Sequence, residues 1–160
     1  MPQLSFCQST PLKVHVDMNS CFASCEQQAN PLLRGKPVAV AAYTTASGCI
    51  LSPSIEAKKL GIKVGMRVRD GKAICPGLIV LPTDPEKYRA INLKLTELLS
   101  SYTADFTIKS IDELVLNLAR SPYIYKGIVA LGQEIKAKIR ERIGSFLCVS
   151  IGISTNFYLA

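Results

Sequence analysis

The chain has no tryptophan, a single histidine (His15), and only 12 acidic residues against 19 lysines and arginines in 160 positions. No apolar run reaches the ~18 residues of a membrane span. The amino-terminal stretch lacks the charged start and apolar centre of a secretory signal. These absences point to a soluble, cytoplasmic protein with no membrane partner. Six cysteines are present (Cys7, Cys21, Cys25, Cys49, Cys75, Cys148), but no two form a Cys-x-x-Cys pair, so no zinc site is indicated. They read as small buried hydrophobes in a reducing compartment. With 48% hydrophobic and 19% charged residues, the chain can bury a core and is not a disordered tail. The net charge of +7 suits a polyanionic partner without proving one.

What is present is an ordered series of strand and helix patterns. Residues 12–17 alternate as a strand, and 20–29 read as a helix closed by Asn30-Pro31. Strands are expected at 38–43, 49–51 and 78–81, with short helices at 54–60 and 67–74 and Pro53 in the first helical turn. Residues 85–102 carry Ile91, Leu95, Leu98 and Leu99 at helical spacing. Residues 106–111 and 114–118 read as a hairpin. A second long helix follows over 126–143 and a closing strand over 146–153, with Ser154 or Thr155 able to cap a further helix. This order predicts an α+β fold: a split βαβ (ferredoxin-like) sheet with a small α/β unit inserted at about 20–82.

Two acidic words stand nearly a hundred residues apart. Asp17 ends the first strand and precedes Asn19-Ser20-Cys21-Phe22-Ala23-Ser24-Cys25-Glu26; Ser110-Ile111-Asp112-Glu113 lies inside the hairpin. Carboxylates at strand ends suit a hard cation such as Mg2+, and two such ions can clamp the attacking and leaving oxygens of a phosphoryl transfer. Neighbouring strand residues point to opposite faces, so Asp112 and Glu113 need a turn or bulge to approach one point.

With these words in place, the chain resembles the Y-family (lesion-bypass) DNA polymerases, closest in motif to the bacterial polymerase IV and polymerase V group. The resemblance implies a palm at 1–19 and 83–160, fingers at 20–82, and no thumb or little finger within the 160 residues. It implies template-directed transfer of dNTPs with two Mg2+ ions, Mn2+ able to substitute. Its partners would be primer-template DNA, dNTP and, through a missing C-terminal region, a sliding clamp. Carried over singly, Asp17, the Met18 carbonyl, Asp112 and Glu113 become metal ligands, with Asp17, Asp112 and Glu113 catalytic. Phe22 becomes the steric gate beneath the sugar, and Cys21, Ser52 and Lys58 become nucleotide-binding residues.

Two departures stand out. Many members bind the triphosphate with a Tyr and an Arg where this chain has Ile55 and Lys58, and Lys58 keeps the charge without the bidentate fork. The word Ser150-Ile151-Gly152-Ile153-Ser154-Thr155-Asn156-Phe157 usually ends in a phosphate-binding Lys, which Phe157 cannot replace. Weak activity of the 160 residues alone is therefore expected. A non-catalytic relative that binds DNA or a partner is the second reading. A nucleotide cyclase is the third, against which the fingers-like insert and both acidic words speak.

Overall fold

The computed structural model describes residues 13–123 and 127–155. β1 (Lys13–Met18) is the centre of the main sheet. Its alternation is the cause: Val14, Val16 and Met18 point inward and are buried, while His15 and Asp17 point to the other face. β5 (Phe106–Ile108), β6 (Glu113–Asn117) and β7 (Val149–Ser154) complete it in the order β5-β6-β1-β7, all neighbours antiparallel. This is the expected split βαβ sheet. Two long helices cover its inner face. α4 (Pro85–Ser100) starts on a proline behind an Asp84 cap that accepts from the Lys87 N–H, and buries Tyr88, Leu95, Leu98 and Leu99. α5 (Ile128–Arg142) buries Leu131, Ile135 and Ile139, four residues apart along one stripe. Side chains of this size contribute roughly 1.5–3 kcal/mol each when fully buried.

The inserted unit follows α1 (Cys21–Ala29). β2 (Val38–Ala41), β3 (Ile50–Pro53) and β4 (Ile79–Pro82) form a second sheet in the order β3-β2-β4, β2 lying parallel to β4 and antiparallel to β3. All four residues of β2 are buried because it is covered on both faces. Val40 packs into the larger core, whereas Ala39 and Ala41 pack into a smaller one with Ile50, Ala57, Ile62, Val68 and Leu78. One strand with a two-residue period thus forms the wall shared by both units. A second tie is polar: the Phe146 N–H donates to Gln28 Oε1 at 2.8 Å, and Arg34, which donates to the Gln27 and Gln28 carbonyls, lies over the Phe146 ring at 5.4 Å from its centroid.

Several boundaries differ from expectation for visible reasons. Pro53 closes β3 and does not open a helix; β3 is an edge strand, where a missing N–H costs no ladder bond. α2 (Ile55–Lys59) starts instead at Ser54, whose hydroxyl accepts from the Ala57 N–H. The hairpin strand ends at Ile108 and not at 111. The N–H groups of both Lys109 and Ser110 turn to the Glu113 carbonyl, and the Ser110 hydroxyl bonds the Asp112 carboxylate. Beyond α2 lies the expected α3 (Val68–Ile74). The expected cap at Thr155 opens onto residues outside those described.

Gly48 closes the tight loop before β3. A Cβ there would lie 1.8 Å from the Tyr43 carbonyl oxygen, a backbone atom that cannot swing aside. The Gly48 carbonyl also accepts the Val68 N–H that starts α3. Gly48→Ala is expected to destabilise the fold by about 1–3 kcal/mol, the range of overpacked sites. Urea unfolding measures it; a variant as stable as the parent would show that this loop relaxes freely.

Candidate active site

Asp17 stands at the exposed end of β1, directly opposite Glu113 on β6. Asp112 reaches the same region because the backbone turns before β6, its carbonyl accepting the Met18 N–H at 3.0 Å. Asp17 and Asp112 line one cavity of about 240 Å³, together with Met18, Ser20, Cys21, Phe22, Ser52 and Lys58. The cavity lies where the end of the main sheet, the start of α1 and the β3–α2 segment meet. Nearly every residue singled out in the sequence is in its wall. Glu113 is the exception, for its Oε1 lies 2.6 Å from His15 Nε2.

The electrostatics of this corner are those of crowded carboxylates. Partial burial, then the charges of Asp112 and Glu113, raise the Asp17 carboxyl above its ordinary value; His15 and Lys58 oppose them. Lys58 is exposed on α2, yet its charge is felt at Asp17, so it borders the acidic corner. The Cys21 thiol is pushed upward by a hydrogen bond with Cys25 and by burial, which keeps it protonated and makes it a wall. Ser52 Oγ accepts a long 3.4 Å bond from the Ala23 N–H. Phe22 is half-buried and its ring stacks on Tyr88 at 4.5 Å between centroids and 16° between planes. Phe157 falls outside the described residues.

Three contributors escaped the sequence reading. Ser20 has left-handed backbone angles (φ 51°, ψ 45°), and its buried hydroxyl bonds no described group. No sequence signal marks such a residue, since a non-glycine in that region is uncommon. His15 could have been found from alternation, because two residues before Asp17 is the same sheet face. Tyr88 could not, for it sits 66 positions from Phe22 on a different element.

Comparison with known proteins decides the family. The model of the impB/mucB/samB family matches residues 16–160. The chain belongs to this family, the Y-family DNA polymerases. It is 36% identical over 147 residues to DNA polymerase IV of Bacillus velezensis, and 35% identical over 144 residues to DNA polymerase IV of Saccharolobus solfataricus. These alignments cover 91% and 88% of this chain but 35% and 40% of those proteins. The chain thus spans less than half the length of these Y-family relatives. Among solved structures, DinB from Sulfolobus solfataricus superposes with a TM-score of 0.82 at 30% identity, over 93% of this chain and 43% of that one. A structure described as the insertion ternary complex of Dbh DNA polymerase gives 0.83 at 30% identity, over 93% and 44%. The palm-and-fingers fold of the Y-family is therefore the fold of these residues.

Y-family polymerases use divalent metal ions. The donor set here is oxygen-only carboxylate, and partial burial together with the neighbouring carboxylates holds Asp17 above its ordinary value, a penalty on the charged form that a hard cation would relieve. The chemistry fits. Among the described residues, no group of three His, Cys, Asp or Glu side chains already converges as a metal cluster, consistent with Glu113 being engaged by His15. No helix of the described residues is long and apolar enough to cross a membrane.

Burial and repulsion at Asp17 have a measurable cost. The folded chain holds the Asp17 proton to a higher pH than an unfolded chain does. Stability from this group is therefore present at acid pH and lost as pH rises through its folded titration range. Asp17→Asn is expected to raise unfolding stability at pH 7 by about 0.2–0.5 kcal/mol, a cross-strand like-charge effect trimmed by solvent. The gain should vanish below the carboxylate range. Urea melts at pH 7 and pH 3 test this, and a variant less stable at pH 7 would contradict it.

Proposed function

We propose that this chain provides the palm (1–19 and 83–160) and fingers (20–82) of a lesion-bypass DNA polymerase. It would position a dNTP for template-directed transfer to a primer end. The observation that carries the reading is the meeting of Asp17, Asp112, Phe22 and Lys58 around one cavity between the two sheets. Asp17, the Met18 carbonyl and Asp112 would hold two Mg2+ ions, with Mn2+ able to substitute; Glu113 would join them on leaving His15. Bound there, the ions would supply charge neutralisation at the phosphates and the attacking oxygen. Lys58, beside the carboxylates, meets the triphosphate as a point charge. Phe22 forms the floor under the sugar, and its ring occupies the space a 2′-hydroxyl would take. Cys21 and Ser52 close the wall without chemistry of their own.

The net charge of +7 supports a DNA partner, held here by few phosphate contacts. For about four contacts, affinity for primer-template should fall about 10²-fold between about 50 and 200 mM salt. Fluorescence anisotropy with labelled DNA measures the slope; salt-independent binding would count against a phosphate-tracking surface. The functional reading is tested by Mn2+-dependent binding of dCTP and its addition to a primer opposite template dG at low salt. A second reading, a chain that binds DNA without turnover, is favoured by the bond between Glu113 and His15. DNA binding without any metal-dependent dNTP binding would select it.

A further inference from the structure

Phe22 does not stand alone. Glu26 lies one turn further along α1, on the same face, and is buried with only 7% of its surface exposed. Tyr88, 2% exposed on α4, spans both positions: its ring stacks on Phe22, and its hydroxyl donates to Glu26 Oε1 at 2.9 Å. The second carboxylate oxygen accepts from Lys87 Nζ at 2.7 Å, and the same ammonium lies 3.1 Å from Asp84, the cap of α4. Burial pulls the Lys87 ammonium down, yet bonds to Glu26 and Asp84 outweigh it and hold the group above its ordinary value. Asp84, Lys87, Glu26, Tyr88 and Phe22 form one continuous chain of contacts from the surface to the cavity wall.

A buried carboxylate is expensive unless fully paired. Here both oxygens are paired, and the result is a two-point grip on one phenol: face by Phe22, tip by Glu26. The bond at its tip opposes tilting of Tyr88, and the stacked Tyr88 ring backs the Phe22 ring against retreat from the cavity. Discrimination by exclusion depends on a wall that does not yield, because a soft wall accommodates the extra atom. We propose that Glu26 is a positioning residue for sugar selection, acting through the Tyr88 hydroxyl to keep Phe22 rigid, with Lys87 holding the carboxylate in place. This rests on the reading of Phe22 as the floor under a nucleotide sugar.

The test compares dCTP and rCTP binding by calorimetry in the presence of Mn2+. It uses the 160-residue chain and its variants Phe22→Ala, Tyr88→Phe, Glu26→Gln and the Tyr88→Phe/Glu26→Gln pair. Tyr88→Phe keeps the stacked ring and removes only the hydroxyl, so it decides the matter even where Glu26→Gln fails to fold. Tyr88→Phe and Glu26→Gln are each expected to lower the dCTP-over-rCTP preference about three- to tenfold, the weight of one lost hydrogen bond. The change should come through tighter rCTP binding. The pair should lose no more than Tyr88→Phe alone, since Glu26 acts through that hydroxyl. A purely structural Glu26 would lower thermal stability and weaken both nucleotides equally, leaving the ratio fixed. A ratio lost in Phe22→Ala but intact in Tyr88→Phe overturns the inference and leaves the gate standing. Absence of any dCTP preference in the unsubstituted chain, or a preference indifferent to Phe22→Ala, overturns the gate and the inference together.

Discussion

Asp112→Asn is expected to weaken Mn2+-dependent dCTP binding by about 10²-fold or more. Losing even an outer partner of a metal ligand typically costs 10–100-fold, and Asp112 would be a direct ligand. The variant should still fold, because its carbonyl keeps the bond to the Met18 N–H and only the Ser110 contact changes. The cavity offers no replacement: among the described residues Asp17 is the only other carboxylate in its lining, and both Asp17 and a released Glu113 would already be ligands. Calorimetry with dCTP, with and without Mn2+, separates loss of metal binding from loss of nucleotide contacts. Unchanged metal-dependent affinity would mean that Asp112 is not a ligand and that the carboxylate corner is structural.

The second large effect is expected at Phe22. With Phe22→Ala, rCTP affinity should rise to near that of dCTP, erasing about 10- to 100-fold of discrimination. Accommodating a hydroxyl-sized group against a packed ring costs about 1–3 kcal/mol, which sets that range. Removing the ring also uncovers the face of Tyr88 on which it stacks. Some stability will be lost, and thermal melting should be recorded beside the binding data. Equal discrimination before and after the change would show that the ring is ordinary core packing.

The larger architecture was legible because its causes are local. Alternation in β1 and the apolar stripes of α4 and α5 dictate one antiparallel sheet with helices on one face. The insert was visible as a shift to short elements between turn residues. What misled was proline chemistry at position 53, where an edge strand and a helix start make the same demand, namely no N–H. Tertiary context chose the strand. The candidate site was legible as words around Asp17 and Asp112, and the fold brings those two carboxylates to one cavity. Glu113 was harder. Its placement depends on His15, a neighbour across the strand pair whose reach no linear motif encodes. The support behind Phe22 was invisible for the same reason: Tyr88 and Lys87 arrive on α4, more than sixty positions away.

The measurement closest to the central claim is a crystal structure of the chain with Mn2+ and dCTP, using the anomalous signal of manganese. The account predicts manganese between the carboxylates of Asp17 and Asp112, triphosphate oxygens toward Lys58, and the deoxyribose resting over Phe22. Manganese bound elsewhere, or nucleotide lying away from this cavity with the metal present, would contradict it.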